Sequence, residues 1–196
     1  MKLTATPLRG LHTVALDRRD DARGNLLRIF DAQEWRGAGG QEWRWNQAVT
    51  SYTRHANTLR GMHYQLPPHA EGKLVVPQSG SMFWVSVDVR PDSAGFGAWH
   101  GVTLSAADGT ALLARPGFAH GCMSLTDEVG LLILSTETHR PEGGAGFRWD
   151  DADVAIRWPD LGAAPRLSAG HDALPSFSAF AATVAPKLAA METVDA

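Results

Sequence analysis

Cysteine is almost absent: the chain of 196 residues holds one, Cys122. A single cysteine makes no intrachain disulfide and no paired-cysteine zinc site, which points to a reducing, cytoplasmic setting. No His-x-His pair occurs, and His63, His69 and His120 have no acidic ligand at a recognisable spacing, so no metal is expected. Neither a Gly-x-Gly-x-x-Gly turn after a strand nor a Walker loop is present, and Gly-x-Ser-x-Gly is missing too. No bound cofactor is expected. There is no basic excess: 18 Lys and Arg against 21 Asp and Glu give a formal charge of -3. That balance argues against a nucleic-acid surface, although a local cluster of cations can still hold a small anionic ligand. No apolar run approaches the roughly 20 residues that span a bilayer. Residues 1–9 lack the apolar core of a signal peptide, so no membrane association is expected.

What the sequence has is punctuation. Twenty glycines and eleven prolines divide short apolar stretches, the texture of many strands joined by turns. Residues 81–90 alternate strictly: Phe83, Val85, Val87 and Val89 on one face, Trp84, Ser86, Asp88 and Arg90 on the other. This predicts a half-buried strand. Ser79-Gly80 reads as a hairpin turn with residues 73–76 as the partner strand. Further strands are expected at 58–65, 100–104, 111–114, 121–125 and 130–136, a spacing that suggests a sandwich or barrel. Residues 37–40 read as a loop ahead of the tryptophan-rich stretch 43–45. Only residues 176–191 have a helical pattern, and Pro186 is expected to interrupt it.

Two segments carry candidate chemistry. In 60–65, Arg-Gly-Met-His-Tyr-Gln, Arg60 and His63 differ by an odd number and face opposite ways in a regular strand. Gly61 between them permits a bulge or close backbone approach that turns both toward one ligand. Lys73 starts the next strand, and odd parity in a hairpin places it on the His63 face. An imidazole and an ammonium in one cavity suit proton abstraction beside a carbonyl, the imidazole taking the proton and the ammonium stabilising the enolate oxygen. The plainer alternative is a hydrogen-bonded barrel histidine and a solvated edge lysine. The second segment, 116–121, is a Pro- and Gly-shaped turn that delivers His120 into a strand as ligand group, supporting group or structural residue. Asp88 and Arg90, two apart on one face, form an ion pair or bind ligand.

The motifs in sequence order are 59–65, 72–75, 85–90, Phe96-Gly97, Leu104-Ser105, 116–121, and 149–151 through Trp158-Pro159. Together they resemble the dTDP-4-dehydrorhamnose 3,5-epimerase family over about residues 22–172. The resemblance implies an all-β, cupin-type jelly-roll barrel with a short C-terminal helical segment. It implies one domain: an N-terminal arm over about 1–50, the barrel over about 51–160 and a C-terminal segment from 161 to 196. It also implies a homodimer that exchanges N-terminal strands, and a metal-free reaction on a nucleotide-linked 4-keto sugar. His63 matches the general base, Asp172 the carboxylate that orients it, and Lys73 the enolate stabiliser. Arg60 matches a cation of the sugar-diphosphate site and Arg23 a nucleotide-binding arginine on the exchanged arm. Gln47 and Ser51 fall in a ligand-facing segment, and His120 matches a histidine lining the pocket.

The departures are as specific. A family tyrosine that acts as the acid opposite the base is Ile133 here. The lysine after it is Leu134, and the aromatic pair before Pro141 has become Thr138-His139-Arg140. Arg28 replaces an acidic residue, Val49 an asparagine, and Trp84 a small or acidic residue. Base and enolate stabiliser stay while the acid is gone. Three readings follow: epimerisation altered to a single carbon, with water or His139 delivering the proton; a different ligand; or binding without turnover. Outside nucleotide-sugar epimerisation at C3 or C5, the rivals are a diverged cupin isomerase or cyclase on another carbonyl substrate and a non-catalytic sugar-nucleotide binding protein.

Overall fold

A computed structural model describes residues 1–37, 44–170 and 173–192, with side chains to residue 187. The strands are β1 (Lys2–Ala5), β2 (Leu11–Ala15), β3 (Asp17–Asp21), β4 (Gly24–Arg28), β5 (Gln47–Thr53), β6 (Leu59–Gln65), β7 (Lys73–Ser79), β8 (Ser81–Asp88), β9 (Trp99–Ser105), β10 (Thr110–Ala114), β11 (Phe118–Ser124), β12 (Val129–Ser135) and β13 (Gly144–Gly146). Two helices, α1 (Ala32–Gly37) and α2 (Phe177–Glu192), complete the described elements besides a 3-10 turn at Pro141–Gly143.

A six-stranded sheet runs β1-β2-β10-β7-β12-β5, and a five-stranded sheet runs β13-β6-β11-β8-β9. Leu11, Val75, Leu112 and Leu131 from the first interlock with Met82, Trp84, Leu104 and Phe118 from the second. The chain is therefore the cupin-type jelly roll that the resemblance implies. Arm strands β3 and β4 form a hairpin of their own that joins neither sheet.

Three local expectations are corrected. Ser79-Gly80 does not close a hairpin: β7 pairs with β10 and β12, whereas β8 pairs with β11 and β9. The turn hands the chain from one sheet to the other, and the same turn residues serve both purposes. Nor is β8 half-buried. Trp84 faces the inter-sheet core, and Val85, Val87 and Val89 are buried on the other side against Phe147, Phe177 and Phe180. The cover arrives from residues far along the sequence. Finally, α2 runs through Pro186 without a break. Its anchoring side chains Phe177, Phe180 and Val184 all precede the proline and are buried. Each such burial contributes about 1.5–3 kcal/mol, enough together to offset an interior proline's cost of roughly 3 kcal/mol.

The motif at 149–151 turns out to hold this cover in place. Asp151 Oδ2 accepts the Phe177 N–H at 2.8 Å, and its Oδ1 accepts the N–H groups of Asp153 and Val154. Trp158 Nε1 donates to the Trp149 carbonyl at 2.9 Å. On the opposite flank, α1 was not expected. Asp31 Oδ1 caps it by accepting from the N–H groups of Gln33 and Glu34. Trp35 then packs with Phe30 and Trp45 over the outer face of the six-stranded sheet. Gly37 ends this helix rather than opening a loop; residues 38–40 and Trp43 lie outside the described residues. Asp88 is fully buried and ion-paired with Arg90 at 2.6 Å, with Arg90 over the Phe118 ring. That pair is structural.

Candidate active site

Gly61 makes the site possible. Between β6 and β11 the register passes from Arg60↔Cys122 to His63↔His120, three residues on one strand against two on the other. This is a bulge, and it cancels the odd spacing of Arg60 and His63. Gly61 has φ +113°, and a Cβ there would lie 2.5 Å from both Gly121 Cα and the His120 carbonyl oxygen. Only glycine fits both conditions. As a result Arg60 and His63 line the same cavity, of about 750 Å³.

Lys73 lines that cavity too, but not from a neighbouring strand. It opens β7 in the six-stranded sheet, while His63 belongs to the five-stranded one. The two groups meet across the barrel, so the hairpin expected to bring them together is replaced by two facing sheets. Lys73 Nζ sits 2.6 Å from Glu71 Oε1, and the Glu71 side chain is only 11% exposed. Glu71 also lines the cavity. It was missed in the sequence, where a glutamate two residues before a lysine looks like any surface pair.

His120 is buried between β6 and β8. Its Nδ1 lies 3.4 Å from Trp84 Nε1 and 3.1 Å from Ser86 Oγ. Burial, then the charges of Lys73 and His63, hold its pKa well below the usual imidazole range, so the ring is neutral. Cys122, beside it in the wall, is a thiol pushed up to about 12 by burial.

The remaining expected residues divide. Ser51 and His139 line the cavity. Gln47 acts behind the wall: its Oε1 accepts the His139 N–H at 3.0 Å. Gln65 does the same for the next residue, accepting the Arg140 N–H at 2.7 Å while donating to the carbonyls of His69 and Thr138. Arg60 donates to Thr53 Oγ1 at 3.1 Å, which leans it on β5. Arg23 is 90% exposed at the tip of the β3–β4 hairpin, paired with Asp21, and is not part of this chain's cavity wall. Asp172 lies outside the described residues. Among the described residues, no three His, Cys, Asp or Glu side chains gather in a way that would hold a metal ion.

The departures sort by face. Ile133 lines the cavity, opposite Val49 on β5 and Val75 on β7. Trp84 lines it from the other sheet. Leu134 is on the outer face with Trp35 and Trp45, so it is no neighbour of the cavity. Arg28 pairs with Glu34 and ties β4 to α1.

A jelly roll whose cavity holds a histidine and a lysine from opposing sheets defines a cupin-type protein with groups suited to proton abstraction beside a carbonyl. A sequence profile of the dTDP-4-dehydrorhamnose 3,5-epimerases matches residues 5–179. The chain belongs to that family. It is 35% identical to the dTDP-4-dehydrorhamnose 3,5-epimerase of Salmonella typhimurium over 155 residues, 79% of this chain and 84% of that one. Among solved structures, a dTDP-6-deoxy-D-glucose-3,5-epimerase from Legionella pneumophila, in complex with dTDP-4-keto-L-rhamnose, superposes with a TM-score of 0.88. Its identity is 30%, covering 95% of this chain and 97% of the other. ChmJ, a 3'-monoepimerase from Streptomyces bikiniensis in complex with dTDP-quinovose, superposes with a TM-score of 0.82 at 29% identity, covering 91% and 88%.

Proposed function

We propose that this protein is a nucleotide-sugar epimerase that enolises a dTDP-4-keto-6-deoxyhexose at a carbon beside the C4 ketone. The observation that carries the reading is the meeting of His63 and Lys73 in one cavity, with Arg60 turned in by the same bulge. His63 removes the proton, and the electron pair moves to the C4 oxygen, where the Lys73 ammonium stabilises it. Asp172 fixes the His63 tautomer and supports its imidazolium. Arg60 binds the diphosphate, Ser51 and His139 border the sugar, and Gln47 holds His139 in place.

The protein works as a cytoplasmic homodimer in which the β3–β4 hairpin carries Arg23 to the nucleotide end of the partner's cavity. The exposure of Arg23 and of Leu26 (66%) on a hairpin outside both sheets supports this exchange.

A second reading has its own observation. Ile133 has apolar cross-strand neighbours on both sides, Val49 and Val75, where the family resemblance expects a tyrosine acid. Inversion is then confined to one carbon or slowed at both. Incubation with dTDP-4-keto-6-deoxyglucose in deuterated water tests both readings. Deuterium at C3 or C5 that disappears in His63→Asn and Lys73→Ala supports the epimerase. Binding without exchange identifies a sugar-nucleotide binding protein, and neither binding nor exchange identifies a different carbonyl substrate.

A further inference from the structure

The two cations of the cavity keep different electrical company. Arg60 donates to Thr53 Oγ1 at 3.1 Å and to the Tyr52 carbonyl at 3.4 Å, both neutral acceptors, and pairs with no carboxylate among the described residues. Its positive charge is uncompensated. Lys73 Nζ, by contrast, sits 2.6 Å from Glu71 Oε1, and their side chains are only 21% and 11% exposed. Glu71 is the one carboxylate among the described residues that line the cavity. Its place is fixed: Gly72, between the two, donates its N–H to Thr136 Oγ1 at 2.8 Å and accepts the Thr136 N–H at 3.0 Å. The cations also start far apart. Thr53, on which Arg60 leans, is opposite Val129 at the start of β12, whereas Lys73 is opposite Ser135 at its end. That stretch of β12, at about 3.3 Å per residue, puts roughly 20 Å between the two backbone positions. The cavity therefore has a net positive end at Arg60 and a compensated ion pair at Lys73.

Resting on the epimerase reading above, we propose that Glu71 is a specificity-determining residue: by compensating Lys73 it reserves that end of the cavity for an uncharged keto sugar, turns away sugars with an acid group there, and leaves Arg60 as the seat of the diphosphate. A charge in a largely buried wall acts strongly on its neighbours and is screened little by salt. Without Glu71, the Lys73 ammonium would attract a phosphate as Arg60 does, and a sugar diphosphate could enter either way round. With Glu71, only one orientation brings the anion to an uncompensated cation. Lys73 still has donors to spare. An ammonium has three N–H groups; one goes to Glu71, and two remain for the C4 carbonyl oxygen. C6 of a hexose is two bonds from C4, so a carboxylate at C6 would be repelled by Glu71, whereas the methyl group of a 6-deoxy sugar would not. The ligand class is thus a nucleoside-diphosphate 4-keto sugar without an acid group at C6, as opposed to a uronate.

Glu71→Gln keeps the shape of the side chain and removes its charge. Calorimetric titration with dTDP-glucose and dTDP-glucuronic acid, which differ at C6 by a carboxylate and have no ketone to react, reads the effect. The unaltered protein should bind dTDP-glucose about tenfold more tightly than the glucuronic acid, and Glu71→Gln should close most of that gap by binding the glucuronic acid better. Equal affinities in the unaltered protein, or a gap that Glu71→Gln leaves unchanged, overturn the proposal. Inorganic phosphate tests the charge compensation without any sugar, with the fluorescence of Trp84 in the cavity wall as the readout. It should bind the unaltered protein, stop binding in Arg60→Ala, and bind again in Arg60→Ala/Glu71→Gln, the gain disappearing when Lys73→Gln is added. Phosphate that binds Arg60→Ala through Lys73 while Glu71 is in place overturns the proposal. So does a double variant with an unchanged Tm that binds none. If neither dTDP sugar binds while phosphate behaves as expected, the nucleotide-sugar reading fails together with the sugar selectivity, while the compensation of Lys73 by Glu71 stands.

Discussion

Ile133 lies directly opposite Val49 in the β12–β5 ladder, so two positions where the family resemblance expects polar side chains form a single apolar cross-strand pair, with Ile133 at the cavity wall and Val49 exposed on the edge strand. The two replacements are one change. Directly opposed residues pack against each other, so an isoleucine on one strand favours an apolar partner on the other.

Ile133→Tyr tests what that pair does to the reaction. The unaltered protein should exchange solvent deuterium into dTDP-4-keto-6-deoxyglucose with little inversion, because general-acid help worth about 10²–10⁴-fold is missing. The tyrosine variant should raise the inverted fraction, read by NMR of the product. No exchange in either variant, together with a lower Tm for the tyrosine, rejects the weakened-epimerase reading.

Gly61→Ala should damage stability and site together. The new methyl group meets backbone at 2.5 Å, and the residue keeps a φ that L side chains avoid. A loss of roughly 1–3 kcal/mol from backbone strain alone is expected in denaturant unfolding. Deuterium exchange should fall far more than in a core variant of equal instability, since Arg60 and His63 lose their common face.

Stability should decline in mild acid. Burial, reinforced by Lys73 and His63, lowers the His120 pKa in the folded protein, and burial with the Arg115 charge lowers that of His12. The unfolded chain therefore binds more protons below the ordinary imidazole pKa of about 6.5. The stabilisation is complete above that pH and is lost as pH falls through it, by up to about 1.4 kcal/mol per pH unit for the buried His120, with the solvent-screened His12 adding less. Denaturant titrations between pH 7.5 and 5.5 should show the decline, and His120→Gln should flatten it. A flat profile in the unaltered protein contradicts the neutral, buried His120.

Arg23 should matter only through a second copy. Light scattering at micromolar concentration should give a dimer. Arg23→Ala should weaken dTDP binding while leaving Tm nearly unchanged, because its ion pair with Asp21 is at an exposed hairpin tip. A monomer, or an Arg23→Ala variant that binds dTDP as well as the unaltered protein does, would contradict strand exchange.

Much of the site was legible because its chemistry sits in short motifs: the residues around Gly61 announce a bulge, and the bulge brings Arg60 and His63 together. Strand positions were legible from alternation and turns, within one residue for β6, β9, β10 and β12, whereas β11 begins three residues ahead of its expected start. Pairing was not. Ser79-Gly80 looks the same in a hairpin as in a crossing between sheets, so Lys73 was placed beside His63 instead of across from it. The burial of both faces of β8 was invisible because Phe177 and Phe180 lie about ninety residues downstream. Glu71 and the grip of Trp84 on His120 depend on side-chain directions that no spacing encodes.

Because His63 and Lys73 hang from opposite sheets, the gap between imidazole and ammonium is set by the thickness of the filling between those sheets, about 10 Å from backbone to backbone. Leu104 and Leu112 belong to that filling without lining the cavity. They act as shims. Trimming either one should let the two walls settle and re-gauge the spacing of imidazole and ammonium, so a remote core substitution should alter the proposed chemistry without touching the cavity.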